Sequence, residues 1–106
     1  MTDEVTVRDD PQLERFEVWL GDERAGFAAY HRQDGVVTFT HTEVDDRFEG
    51  RGLGSTLVRG ALDAARQSGA AVLPVCPFVR SWLRKHPDYV DLVPAERRAR
   101  FGLADA

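Results

Sequence analysis

The alternation of apolar and polar residues changes once along the chain, and this change divides it into two parts. In the first part, Phe16, Val18 and Leu20 recur at every second residue, which is the period of a half-buried strand, and residues 36–44 are dense in β-branched and aromatic residues. The pattern predicts strands over residues 4–8, 15–20, 25–32 and 36–44, and Asp34-Gly35 is a strong hairpin signal before the last of them. We therefore expect the first 44 residues to form an antiparallel meander.

A helical period replaces this alternation after residue 52. Apolar residues recur three and four positions apart from Leu53 to Ala65, and Gly69 follows where a helix ends with a left-handed residue. Residues 70–75 are then a short apolar run, which predicts a buried parallel strand joined to strand 36–44 by a right-handed crossover. Pro74 indicates a bulge or the splayed end of that strand.

The last third of the chain is expected to be mainly helical. Pro77 suits the first position of a helix that ends at His86. The buried side of this helix is predicted to consist of Phe78, Val79, Trp82 and Leu83. One more strand is expected over residues 88–93, and a short terminal helix over 94–101.

A glycine-rich loop connects the meander to the first helix, with Gly50, Gly52 and Gly54 at alternate positions. Glycines let a backbone turn tightly and bring its N–H groups close to a ligand. The first N–H groups of a helix also lack internal partners and favour negative charge. The pattern fits neither a P-loop nor a dinucleotide fingerprint. The two interpretations are a diphosphate site and a simple turn.

The composition of the chain is that of a globular protein and excludes several other classes. With 106 residues, 42% hydrophobic and 30% charged, the chain is expected to be one ordinary globular domain. Cys76 is the only cysteine, which excludes an internal disulfide and a multi-cysteine zinc site. No signal peptide or membrane span is visible, so we expect a cytoplasmic protein without a membrane partner.

The net charge of −4 argues against a nucleic-acid binder. Residues 97, 98 and 100 are arginines that form either a basic patch or a solvated helix face.

Three segments and the glycine loop together resemble the GNAT superfamily of acetyl-CoA-dependent N-acetyltransferases, in its minimal single-domain branch. The segments are His-Thr-Glu-Val at 41–44, Cys-Pro-Phe-Val at 76–79 and His-Pro-Asp-Tyr at 86–89. The family motif V-x-x-x-[YF]-[RQ]-G-x-G-[ILV]-G is matched by Val44, Phe48, Glu49, Gly50, Arg51, Gly52, Leu53 and Gly54. The resemblance covers roughly residues 36–92.

This resemblance implies an α+β, α/β-like fold over residues 1–106. It is a mixed, mostly antiparallel central sheet with a β-α-β coenzyme A-binding core, without the usual N-terminal helices. It also implies acetyl-CoA as cosubstrate, no metal, and an amine acceptor of unknown identity, either a small molecule or a peptide. The residues expected to bind coenzyme A are Val44, Arg47, Glu49, Gly50, Arg51, Gly52, Leu53, Gly54 and Ser55.

The chain departs from the family at Glu49, where Arg or Gln is usual. A side-chain contact to phosphate is lost there, and Arg47 and Arg51 can supply the positive charge instead.

Four side chains are candidates for the chemistry of acetyl transfer. His41 and Glu43 lie two apart on one predicted strand, hence on one face and roughly 7 Å apart. Each is either the base or a structural or solvated residue. Cys76 is either a thiolate at a helix N-terminus or a small buried residue beside the pantetheine arm. Tyr89 is the nearest tyrosine to the family's usual general acid, and the resemblance implies an oxyanion donor among the backbone N–H groups at Val44.

The sequence therefore predicts an acetyl-CoA-dependent N-acetyltransferase that moves an acetyl group to an amine by direct attack. The alternative is a non-catalytic acyl-CoA-binding or protein-interaction module with the same fold. No nucleic-acid partner is expected, and the oligomeric state is either monomer or homodimer.

Overall fold

The computed structural model describes residues 4–103. The protein is built around a five-stranded mixed sheet. The strands are β1 (Val5–Asp10), β2 (Arg15–Leu20), β3 (Glu23–Gln33), β4 (Val36–Val44) and β5 (Ala71–Pro74). They lie in sequence order, with β1 to β4 antiparallel and β5 parallel to β4. The expected meander and the parallel strand are both confirmed, whereas residues 1–3 and 104–106 of the expected domain lie outside the described residues.

Two helices flank the sheet: α1 (Leu53–Gln67) and α2 (Pro77–Lys85). The residues that α1 buries follow the predicted spacing: Leu53, Leu57, Val58, Ala61, Leu62 and Ala65. They join one core with inward-facing residues of the sheet such as Phe16, Val18, Val37 and Phe39. Gly69 ends the helical segment with a φ of 72°, as a left-handed C-terminal residue should.

The segment after α2 differs from the expectation. Residues 88–93 do not form a strand, because Pro87–Leu92 is a 3-10 helix that buries Tyr89 and Leu92. Proline in the first turn of this helix and the packing of Tyr89 against α1 favour a helical turn instead.

The terminal helix expected over 94–101 consists of two 3-10 turns, Ala95–Arg97 and Ala99–Phe101. The Nε of Arg98 donates to the carbonyl of Val93.

A bulge in β4 sets which side chains face the helices. The β3–β4 register shifts so that Ala29 pairs with His41 and Tyr30 with Phe39, leaving Thr40 as the extra residue. Beyond the bulge, Val44 pairs with Gly26, which in turn pairs with the fully buried Val18. Thr42 and Val44 therefore face the helices, and His41 and Glu43 face the opposite side of the sheet.

Candidate active site

The sheet opens between β4 and β5 halfway along β4. The register between these strands ends where Phe39 pairs with Pro74, and the N–H of Cys76 donates to the carbonyl of Phe39 at 2.8 Å. From there the chain turns into α2, while β4 continues to Val44 beside β3 only. Pro74 thus marks the splayed end of β5, which is one of the two expectations for it.

The backbone of Val44 is directed into this opening. The N–H of Asp45 donates to the carbonyl of Ala25 in β3 at 2.7 Å. Because successive residues of a strand direct their N–H and C=O groups to opposite edges, those of Val44 are directed away from β3. That is the edge along which β5 has already ended, so the opening presents a backbone donor and a backbone acceptor.

The glycine loop gives α1 an uncapped start beside the opening. Gly52 is the N-cap residue, with a φ of 71°, and no side chain caps the helix. The first backbone hydrogen bond of the helix is donated by the N–H of Thr56 to the carbonyl of Gly52. The N–H groups of residues 53–55 therefore have no carbonyl from a preceding turn. The first turn also contains no acidic residue. This arrangement is suited to holding an anion.

A surface cleft connects the opening to this helix start; we call it the loop cleft. Its lining includes Val44, Phe48, the three glycines, Ser55 and Phe78. The prediction that Phe78 is buried is wrong, because this residue is 44% exposed. A Cβ on Gly54 would stand 2.7 Å from Cζ of Phe78, so the third glycine leaves room for this ring. The close packing of Gly54 against α2 brings an aromatic ring into the cleft.

The two arginines of the loop differ in their partners. Arg47 pairs with Asp45 at 3.3 Å and with Glu23 at 3.2 Å. Hydrogen bonds from the backbone and side chain of Arg47 lower the pKa of the Asp45 carboxyl. Arg51 lies 5.9 Å from the centre of the Phe48 ring, and within residues 4–103 no carboxylate forms an ion pair with it. Arg51 is therefore the arginine whose charge remains uncompensated beside the glycines.

Ser55 connects the loop cleft to α2. Its Oγ accepts a hydrogen bond from Nε1 of Trp82 at 2.8 Å. Because the indole N–H can only donate, the hydroxyl hydrogen of Ser55 stays free to donate to a ligand.

His41 and Glu43 form a pair on the sheet face opposite the helices. The His41 Nε2 and Glu43 Oε2 atoms are 2.8 Å apart, and their side chains are 60% and 63% exposed. The Phe27 ring lies 6.1 Å from the imidazole, centre to centre. The expectation that the two residues share one face is confirmed, and their catalytic roles stay predictions. The pair occupies the same end of β4 as Val44, on the other side of the sheet.

Cys76 is brought to the opening, whereas Tyr89 is not. The Cys76 side chain is buried, and its Sγ lies 3.3 Å from Oγ1 of Thr42. The Tyr89 hydroxyl instead donates to Asp63 in the middle of α1 at 2.8 Å and accepts from Arg59. The hydrogen bond to Asp63 and burial raise the pKa of Tyr89.

Thr42 and Phe78 are the neighbours of the candidate site that sequence reasoning missed. Placing Thr42 beside Cys76 requires knowledge of the β4 bulge, and alternation alone does not show the bulge. For Phe78, the signal is Gly54, since a glycine inside a helix marks a close neighbour.

Two further features bear on partners. Among residues 4–103 there is no cluster of three or more histidine, cysteine, aspartate or glutamate side chains that could hold a metal ion. No helix in this part of the chain has the length and apolar character needed to cross a bilayer.

The arrangement of this mixed sheet and its two helices has a counterpart among solved structures. The chain is similar to the NMR solution structure of a GCN5-like protein from Staphylococcus aureus. The TM-score is 0.64 at 23% identity, over 89% of this chain and 91% of that one. This likeness shows the shared fold.

The sequence comparisons specify the family. Protein NATD1 of Mus musculus is 27% identical over 85 residues, which are 78% of this chain and 77% of that protein. The family model of GCN5-related N-acetyl-transferases matches residues 15–92. The chain therefore belongs to the GCN5-related N-acetyltransferase family, a family of enzymes. The expected superfamily and α+β fold are confirmed.

Proposed function

We propose that this protein transfers an acetyl group from acetyl-CoA to an amine by direct attack. The observation that carries the proposal is that the loop cleft and the opening between β4 and β5 meet at Val44. Val44 lines the loop cleft, and its backbone N–H and C=O are also directed into the opening between β4 and β5. A diphosphate at the start of α1 and a thioester at the opening can therefore belong to one extended molecule.

The proposed contacts of the diphosphate follow from the free donors. The N–H groups of Leu53, Gly54 and Ser55 donate to its oxygens, and Arg51 adds a positive charge. Glu49 stands where the family usually has Arg or Gln, so the backbone carries more of the binding than a side chain does. Cys76 forms part of the wall of the opening next to Thr42.

The chemistry needs a neutral amine, a donor for the developing oxyanion and a proton for the departing thiolate. In the proposed reaction the amine nitrogen forms a bond to the acetyl carbon, and the carbon–sulfur bond breaks. The His41–Glu43 pair accepts the proton that the amine loses, directly or through water. The N–H of Val44 donates to the carbonyl oxygen, and the thiolate takes a proton from solvent.

Calorimetric titration with acetyl-CoA, followed by thiol release with a panel of amines and peptides, tests the proposal. Gly52→Glu should abolish binding, because it places a carboxylate at the helix start. Gly69→Glu is the matched control: both glycines flank α1, their φ values are 71° and 72°, and a Cβ added at either would stand in open space. If Gly69→Glu weakens binding as much as Gly52→Glu does, the diphosphate site is refuted.

The Cys76→Ala variant separates direct attack from a covalent acetyl-cysteine intermediate. Direct attack predicts that the variant retains transfer, since the thiol then only fills space beside Thr42. Loss of transfer in a variant that is folded and binds acetyl-CoA would contradict direct attack.

One observation favours the second candidate, a non-catalytic acyl-CoA-binding module. The hydroxyl of Tyr89, the nearest tyrosine to the family's usual acid, is held by Asp63 on α1. Acetyl-CoA binding without turnover on any amine tested would favour the module.

A further inference from the structure

A second cleft continues from the loop cleft along α2; we call it the helix cleft. Its lining is Ser55, Phe78, Ser81, Trp82, Lys85 and His86. Ser55 and Phe78 line both clefts, so the two clefts adjoin, and we call them together the groove. The groove extends from Val44 at the opening, past the glycines, to the C-terminal end of α2.

The helix cleft offers aromatic, hydroxyl and cationic groups together. Phe78, Ser81 and Lys85 are separated by three and four residues, which places them on one side of α2. The ring of Phe78, a residue that is 44% exposed, stands at one end of this row and the ammonium of Lys85 at the other. Seven residues of helix rise about 10 Å. The row therefore has the length of a nucleoside with a phosphate beyond it.

The charge of Lys85 has no partner within the described chain. Lys85 is the only lysine of the sequence. Among residues 4–103 no carboxylate forms an ion pair with it. Phe78 has its exposed ring at the start of α1, where the proposed diphosphate lies. An exposed ring followed by a free ammonium is the chemistry that binds a nucleoside phosphate.

The aromatic floor beside Lys85 is held in place by its own contacts. The rings of Trp82 and His86 stack at 3.8 Å with an interplanar angle of 12°. The Nε1 of Trp82 donates to Ser55, and Nδ1 of His86 donates to the carbonyl of Trp82 at 2.8 Å. Because these groups are already fixed, a ligand would order little more than the Lys85 side chain.

We propose that the helix cleft binds the 3′-phosphoadenosine end of coenzyme A, with Lys85 paired to the 3′-phosphate and Phe78 packed against the adenosine. This inference rests on the proposed function, because it extends the same ligand beyond the diphosphate. It assigns to Lys85 the discrimination between coenzyme A and 3′-dephospho-coenzyme A, which differ only in that phosphate.

The test is the ratio of two dissociation constants measured by calorimetry on the full chain. For the wild type we expect dephospho-coenzyme A to bind roughly five-fold more weakly than coenzyme A, the size of one exposed ion pair. Lys85→Gln should bring the ratio to about one by weakening coenzyme A alone. Arg80→Gln is the control: it removes the same charge from the same helix, about 140° around its axis from Lys85. It should leave the ratio unchanged.

The outcomes separate this inference from the proposed function. If neither ligand binds the wild type, the diphosphate site itself is refuted. Equal binding of both by the wild type would overturn the role of Lys85 and leave the diphosphate site intact. A ratio that persists in Lys85→Gln, or that falls equally in Arg80→Gln, would also overturn it. Far-ultraviolet circular dichroism of both variants confirms that each is folded.

Discussion

Adding a single methyl group at Gly26 should displace the backbone of Val44. Gly26 pairs with Val44 across β3 and β4. A Cβ at this position would collide with the carbonyl oxygen of Glu43 and stand 3.0 Å from Cα of Val44. Both are backbone atoms, so no change of rotamer relieves the contact. In Gly26→Ala the two strands must move apart at the residue whose N–H is proposed to meet the oxyanion.

The expected cost follows from this overpacking. An extra methyl group in a packed site destabilises by about 1–3 kcal/mol. For a chain of this size, that lowers Tm by roughly 5–15 °C. A displacement of Val44 approaching an ångström should lower kcat/KM by roughly ten-fold to a hundred-fold. The dissociation constant of coenzyme A should change less than about three-fold, since Gly26 does not line the loop cleft.

The assay combines thermal unfolding, coenzyme A titration and turnover well below Tm. Val93→Ala is the control, because Val93 is fully buried and follows the 3-10 helix Pro87–Leu92, outside β3 and β4. It should lower stability by a similar amount, about 1–3 kcal/mol, and leave kcat/KM near that of the wild type. The reasoning is refuted if Gly26→Ala keeps wild-type Tm and turnover, or if Val93→Ala loses as much turnover.

Three further predictions concern single side chains. Glu49→Gln should tighten coenzyme A binding by about two- to five-fold at low salt, because a like charge beside the diphosphate is removed, with a smaller gain at high salt. Tyr89→Phe should lower unfolding free energy by about 1 kcal/mol through loss of the Asp63 hydrogen bond. Its turnover should be unchanged, and slower turnover would restore Tyr89 as the general acid. Hydrogen bonds from Arg66 hold the pKa of Asp91 below its usual range. This pair therefore stabilises the fold above about pH 4 and ceases to do so as the pH falls through the lower folded pKa. Urea unfolding of Arg66→Gln should show a deficit at pH 7 that disappears in strong acid.

Sequence periodicity is sufficient to predict a strand or helix, and which residues share a face, wherever one face of that element is buried. The period of two places His41 and Glu43 on one face of β4, and their 2.8 Å contact confirms it. The helical period and Gly69 predict the extent of α1 to within a residue. In each case local pattern and tertiary packing favour the same structure.

Features that depend on two distant segments cannot be predicted from the pattern. The β4 bulge at Thr40 arises from the register against β3, and it decides that Thr42 meets Cys76. The position of the Phe78 ring depends on the close approach of α2 to Gly54. The turn at Pro87–Leu92 replaces a strand because Tyr89 packs on α1, which outweighs local composition.

The central claim is that one molecule of acetyl-CoA occupies the start of α1 and the opening beside β4 at the same time. Amide NMR during titration with acetyl-CoA tests this most directly. We predict that the largest shift changes fall on Val44, Leu53, Gly54 and Ser55, while Gly69 at the other end of α1 is unaffected. Changes confined to residues 53–55 would leave only an anion site there, and no changes at millimolar ligand would contradict the account entirely.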